Sequence, residues 1–149
     1  MKSSLLNETE LNYILARIDR LSPDSKRKWG KMNVNQMMRH VNDFLNFTTG
    51  LKKANKRNNI FMTTIGKWYA LTFPFLKNLP TAPEANEVKN NINPESFEEE
   101  RNNLKKFIRD FAAHSGEFEN HVVFGKMTRE EYGILFYKHL DHHLTQFGV

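Results

Sequence analysis

Residues 128–149 read TREEYGILFYKHLDHHLTQFGV, a pattern typical of one long helix with histidines on its apolar side. Thr128 followed by Glu131 forms a capping box, which predicts that the helix begins here. Because a helix turns by about 100° per residue, one apolar arc collects Tyr132, Phe136, Leu140, Leu144 and Phe147. We expect the helix to run to about Phe147 and to bury this arc against other helices.

The histidines of this helix differ in where they project. His139 and His143 are four residues apart and flank Tyr132, so both lie on the buried side. His142 projects toward Lys138 on the wetter side. We therefore expect His139 and His143 to point inward, with His142 as a rim residue at most.

An earlier helix adds another inward histidine. Asn33 with Gln36 predicts the start of this helix, and Gly50 predicts its end. His40 falls on the apolar arc that is formed by Val34, Met37, Val41, Phe44, Leu45 and Phe47. His40 is therefore expected to face the interior as well.

Helix signals dominate the remaining chain. Asn7 opens a periodic segment that continues to Leu21, and a buried helix is expected from about Ile60 toward Phe73. Asn93-Pro94 is the expected start of a helix that stops at Ser115-Gly116. Residues 52–59 are expected to be a loop, and residues 78–95, with Pro80, Pro83 and Pro94, a long irregular crossover.

These elements predict an all-α fold. We find no strand alternation and no internal repeat in the sequence. An antiparallel bundle of four main helices, with an accessory helix and the long crossover, is the most economical arrangement. A chain of 149 residues fits one domain over residues 1–149.

Composition and charge indicate the expected cellular compartment and binding partners of the protein. Cysteine is absent, which excludes disulfides and thiolate ligands and suits a cytoplasmic protein. No secretory signal is expected, and the most apolar stretch, 60–76, is too short to span a membrane. The net charge of +5 comes from basic clusters at 26–31 and 52–57. Without a recognition motif, these clusters predict solvated loops rather than a nucleic-acid patch. No membrane partner is expected.

The three inward histidines suggest a metal site. Buried imidazoles need partners, and one metal ion satisfies three of them while leaving a position open for water or substrate. The alternative is that His40, His139 and His143 are core histidines bonded to backbone carbonyls or tyrosines. Asp43 is either a carboxylate that orients His40 or a solvated side chain, and His121 is either a rim residue or an ordinary loop histidine. Nucleophile elbows and phosphate-binding glycine loops are absent from the sequence.

Three segments carry a family resemblance. They are WGKMNVNQMMRH at 29–40, PTAPE at 80–84, and FGKMTREEYG at 124–133, which continues into YKHLDHHLTQFGV at 137–149. With these segments the chain resembles the DinB-like (DinB/YfiT) superfamily of small helical metalloproteins, and most of all a branch known only as a domain of unknown function.

The resemblance implies a four-helix bundle, often dimeric, that binds a divalent metal. The ligands would be His40, His139 and His143, with zinc or nickel as the metal and iron or manganese as alternatives. Some members of the superfamily are metal-dependent enzymes that activate a low-molecular-weight thiol. A fold does not transfer an activity, because function resides in the site.

Three functions are compatible with these sequence features. The first is a metal-dependent enzyme, of hydrolase or thiol-transferase type, that acts on a small-molecule substrate. The second is a non-catalytic stress-related or binding protein. The third, a basic nucleic-acid binder, would show strongly salt-dependent DNA binding.

Overall fold

The computed structural model describes residues 2–50, 52–79, 81 and 83–149, and all of their side chains except those of Thr48 and Thr49. Over these residues the protein is all-helical and contains no β-strand, only an isolated bridge between His121 and Gly125. The five α-helices are α1 (Glu8–Asp19), α2 (Val34–Thr49), α3 (Lys67–Thr72), α4 (Phe97–Ala113) and α5 (Arg129–Gln146). A π-helical segment, Met62–Gly66, runs into α3, and a 3-10 turn, Pro83–Ala85, lies in the connection to α4.

The four longer helices share one apolar core. Helix α2 packs against α4 and α5, and α1 packs against the same two helices. The predicted arc of α5 is buried throughout, from Tyr132 to Phe147. It meets apolar side chains of the other helices, among them Ile14, Ile18, Met37, Val41, Leu104 and Ile108. The predicted core faces of these helices are therefore confirmed.

Three of the predicted helix starts are confirmed by their caps. The Asn7 side chain accepts a hydrogen bond from the Glu10 N–H, and complete capping boxes form at Asn33 and at Thr128. The start of α4 was placed too early at Asn93-Pro94. The cap is Ser96, whose hydroxyl accepts from the Glu99 N–H at 3.2 Å, a bond that fixes the first turn beyond the proline.

The helical region 60–72 is present as expected, but the prediction that it is buried was wrong. In the π-helical segment and α3, only Ala70 is buried. Ile60 is 81% exposed, Trp68 58% and Phe61 57%. Apolar composition alone gave the wrong result here, because composition does not say whether another element is available to cover a helix.

The described residues of the crossover after α3 are irregular, as predicted, apart from a 3-10 turn. Pro80 and Ala82, which belong to the second segment of the family resemblance, lie outside the described residues. Glu87 is fully buried in the following stretch, which lies near α2. None of the described helices combines the length and the apolar character that a bilayer-crossing segment needs.

Candidate metal centre

Three histidine rings meet between α2 and α5. His139 Nε2 lies 3.2 Å from His40 Nε2 and 3.0 Å from His143 Nε2. All three residues are buried, and one nitrogen of each lies within 4.8 Å of the others. The structure thus brings together the three histidines that helical projection had placed inward, and this group could hold a metal ion.

The crossover fixes the ring of His40. Its Nδ1 lies 2.7 Å from the carbonyl oxygen of Ala85. A carbonyl can only accept, so Nδ1 must carry the hydrogen, and in the neutral ring Nε2 holds a lone pair. Asp43 is buried and pairs with Lys52 at 2.5 Å. Neither of the two roles expected for Asp43 is therefore found: it does not orient His40, and it is not solvated.

A glutamine fixes the ring of His143 in the same way. Nδ1 of His143 lies 2.8 Å from Oε1 of Gln146. The Gln146 amide donates from Nε2 to the Trp29 carbonyl at 2.9 Å, which sets the orientation of the amide. His143 therefore donates from Nδ1 to Gln146 and presents the lone pair of Nε2 to the other rings.

At the centre of the cluster, the ring nitrogens have more lone pairs than there are N–H groups to bond with them. The Nε2 atoms of His40 and His143 are both acceptors, and His139 can donate from Nε2 to only one of them. His139 Nδ1 is buried and has no hydrogen-bond partner among the described residues. In either neutral tautomer of His139, buried nitrogens therefore stay unsatisfied, which is costly in an apolar interior.

The donor set fits a divalent metal. Tetrahedral zinc with Zn–N bonds of about 2.0–2.1 Å holds its nitrogen ligands roughly 3.3–3.4 Å apart. The His139 Nε2 atom lies at similar separations, 3.2 and 3.0 Å, from those of His40 and His143. Burial lowers the pKa of His40, and burial together with neighbouring histidines lowers the pKa of His139 and His143 well below the usual value. Low pKa values favour neutral imidazole, which is the form that binds metal.

Aromatic rings line the cluster. The Phe44 ring centroid lies 4.2 Å from that of His139, and the Phe75 centroid lies 6.0 Å from it. Phe44 also packs against Phe136 of the core. The centre therefore has an apolar lining, which raises the cost of any unsatisfied nitrogen and strengthens electrostatic interactions within it.

His142 lies outside the cluster. It is half-buried, its ring contacts the edges of Trp29 and His143, and it lines a surface cleft of about 410 Å³. Phe75 and Lys138 also line this cleft, whereas none of the three clustered histidines does. The outward projection predicted for His142 agrees with this placement.

His121 is a buried loop histidine. Its Nδ1 accepts from the N–H groups of Val123 and Phe124, both at 3.1 Å, and so closes the turn that carries the bridge to Gly125. Its ring packs on Phe44, which lies against His139. Burial lowers the pKa of His121 to about 4. His121 thus supports the wall behind the cluster and is not a member of it.

A pair of buried carboxyl groups lies beside the segment that holds His40. Glu87 follows Ala85 by two residues and is fully buried. Burial, and next the charge of Asp43, raises the pKa of Glu87 to about 7. Neither carboxyl oxygen of Glu87 has a hydrogen-bond partner among the described residues, which favours the neutral acid at this position, whereas Asp43 pairs with Lys52.

Sequence reasoning missed Ala85 and Gln146, the two groups that orient histidine rings. Gln146 follows His143 by three residues, so the helical spacing carried a usable signal. The Ala85 contact uses a backbone carbonyl from a crossover 45 residues away from His40. Any residue offers a carbonyl, so the sequence holds no signal for that contact.

Comparison with known proteins identifies the family of the chain. No curated protein and no solved structure matches the chain. The family model described as a protein of unknown function (DUF1569) matches residues 1–148, nearly the whole chain. The chain therefore belongs to the DUF1569 family.

Proposed function

We propose that the protein is a metalloprotein of DinB-like four-helix architecture, with one divalent metal held by His40, His139 and His143. One observation carries the proposal: three buried Nε2 atoms converge while Ala85 and Gln146 hold two of the Nδ1 atoms. This is the arrangement of oriented imidazole ligands with supporting acceptors that is common at protein metal sites. Imidazole donors suit zinc and nickel, with iron and manganese as alternatives.

A metal-dependent enzyme is the function that we favour for this site. When bound to three protein ligands, a divalent metal is a Lewis acid that lowers the pKa of a water or thiol in an open position. The protein supplies orientation of the imidazoles through Ala85 and Gln146 and an apolar wall through Phe44 and Phe75. The enzyme would be of the hydrolase or thiol-transferase type, and its substrate would be a small molecule.

A non-catalytic metal-binding or stress-related role is the second candidate. The specific observation in its favour is the burial of the cluster, whose histidines are only 6–7% exposed. The cleft beside His142 does not reach them. In this alternative the metal would stabilise the fold, because metal that binds the folded state alone shifts the unfolding equilibrium.

The test begins with metal-free protein. Zinc, nickel, iron and manganese are supplied in turn, and bound metal is measured after gel filtration. We expect about one ion per chain for at least one metal, and less than a tenth of that in the His40→Ala variant. Failure of all four metals to bind stoichiometrically would disprove the metal site. Metal-loaded protein in which a bound water or thiol titrates near neutral pH, absent from the metal-free protein, would favour the enzyme over the structural role.

A further inference from the structure

One continuous segment of the chain contains basic residues but no acidic ones. Residues 44–83 contain six basic side chains and no aspartate or glutamate. The other 109 residues contain 16 basic and 17 acidic side chains, which nearly cancel. Three of the six, Lys52, Arg57 and Lys67, pair with carboxylates outside the segment. The other three, Lys53, Lys56 and Lys77, have no carboxylate partner among the described residues, and electrostatic attraction would direct them toward an anionic partner.

The helical part of this segment has its larger apolar side chains on the outside. Exposed positions recur in pairs every four residues, at 60/61, 64/65, 68/69 and 72/73, and partly or fully buried ones alternate with them. Six of the eight outward positions are large and apolar or aromatic. Together with Leu76 and Leu79 farther along the chain, these six residues form what we call the aromatic face: Ile60, Phe61, Ile65, Trp68, Tyr69, Phe73, Leu76 and Leu79.

The inward side of the same helical region is poorer in large apolar groups. It holds Thr63, Gly66, Lys67 and Ala70 beside Met62 and Leu71. A water-exposed helix ordinarily shows the reverse distribution, with its polar side outside. Large exposed apolar patches mark surfaces that meet another apolar phase or a partner.

Lysines without a carboxylate partner lie close in sequence to both ends of the aromatic face. Lys53 and Lys56 are exposed, and neither has a carboxylate partner within the described ranges of the chain. Lys77 lies near the other end of the face, over the Trp29 ring at 4.5 Å. Apolar and aromatic side chains flanked by lysines that have no carboxylate partner are a combination that favours binding to the surface of an anionic membrane.

We propose that the aromatic face docks on the surface of a membrane that contains anionic lipids. Trp68 and Tyr69 suit the boundary between headgroups and acyl chains, where an amphipathic ring is favoured. This departs from the sequence-based expectation of no membrane contact, which assumed that 60–76 was covered by protein. The proposal is independent of the metal site.

A second copy of the chain fits this face less well. A two-fold contact places the same surface of both subunits together. Each copy would bring Lys53, Lys56 and Lys77, which have no carboxylate partner among the described residues, and residues 44–83 contain no carboxylate to offset them. Like charges that face each other across an interface oppose association. An anionic lipid surface supplies the missing negative charge.

The primary test is flotation of the full chain with two kinds of vesicle. One kind is phosphatidylcholine alone, and the other is phosphatidylcholine with phosphatidylglycerol. We expect binding to the anionic vesicles, with little to the neutral ones, and weaker binding as salt concentration rises. Absence of binding to the anionic vesicles at low salt would overturn the proposal.

Apolar variants test the face itself. Phe61→Ser combined with Trp68→Ser should weaken vesicle binding at least about tenfold, since burial of one large apolar side chain is worth about a factor of ten or more. Tyr13→Ser is the matched control, because Tyr13 is 52% exposed but lies on α1, outside the segment. Circular dichroism establishes that both variants fold. Equal binding by the double variant and the control would contradict the assignment of the face.

Charge variants test whether the position of the lysines matters. Lys53→Glu with Lys56→Glu should abolish most binding, whereas Lys26→Glu with Lys31→Glu makes the same change in net charge elsewhere and should retain it. Equal losses in the two pairs would indicate unspecific attraction and overturn the proposal. So would sedimentation showing a dimer that the Phe61/Trp68 variant breaks, since the occupant would then be a second copy.

Discussion

Oε1 of Gln146 lies 2.8 Å from Nδ1 of His143, one helical turn earlier in α5. Its amide nitrogen donates at the same time to the Trp29 carbonyl, so the loop before α2 holds the amide in place. Gly30 follows Trp29 with φ of +80°, and a Cβ there would lie 2.5 Å from the Gln146 amide nitrogen. The loop and the amide are thus fitted to each other, and together they fix the ring of His143.

Gln146→Leu should therefore weaken metal binding without removing a ligand. Loss of a group that orients a ligand ordinarily costs about 10–100-fold in metal affinity. Gln146→Glu keeps an acceptor for the His143 Nδ1–H and should lose less. Competition with a chromophoric chelator measures all three affinities. Equal affinity of the Leu variant and the parent would show that this hydrogen bond does not support the site.

His143→Ala should remove the metal, and His142→Ala should keep most of it. The reason is position: His143 Nε2 lies in the cluster, whereas His142 lines the outer cleft. Bound metal per chain is measured for each variant, and circular dichroism checks that each is folded. If folded His142→Ala lost the metal while His143→Ala retained it, the assignment of the ligands in α5 would be wrong.

Glu87→Gln should change how stability depends on pH. The pKa of Glu87 rises on folding from its ordinary 4.5 to about 7. Between these values the folded state keeps a proton that the unfolded chain has released. The contribution of Glu87 to stability is therefore fully present below about pH 4.5 and is lost as pH rises toward 7, by up to about 3 kcal/mol.

The Gln variant is neutral at every pH and should lack this decline. Urea unfolding of metal-free protein at about pH 5 and about pH 7.5 gives the comparison for both proteins. We expect the variant to gain stability relative to the parent at the higher pH. Parallel pH dependence of the two would mean that Glu87 does not hold a proton in the folded state.

His121→Asn should reduce sensitivity to acid. The pKa of His121 falls on folding from 6.5 to about 4, because the ring is buried. As pH falls through this window the unfolded chain takes up a proton that the folded state refuses, so up to about 3 kcal/mol of stability is lost. The asparagine oxygen can replace Nδ1 as acceptor for the Val123 and Phe124 N–H groups.

Unfolding of metal-free protein between about pH 6.5 and 4 measures this difference. His114→Asn, at an exposed histidine, is the control for loss of one imidazole. A parent and a His121→Asn variant that lose stability equally over that range would show that His121 is not responsible for the acid sensitivity.

The helices and the inward histidines followed from the sequence alone. Caps at Asn7, Asn33 and Thr128 act within one turn, and the 3.6-residue period determines which side of a helix is apolar. His40, His139 and His143 could be placed on buried faces by the same period. Such features depend on residues close in sequence, and so they can be predicted without knowing what packs where.

What surrounds the histidines was decided by tertiary structure. The Ala85 carbonyl lies against His40 from a distant crossover, and Trp29 orients Gln146 from a loop 117 residues away. Asp43 pairs with Lys52 rather than with His40. The exposure of Trp68 has the same origin, because an apolar helix is buried only if the fold supplies a partner for it. Periodicity gives the direction of a side chain along its own helix, but only packing between distant segments determines what that side chain meets.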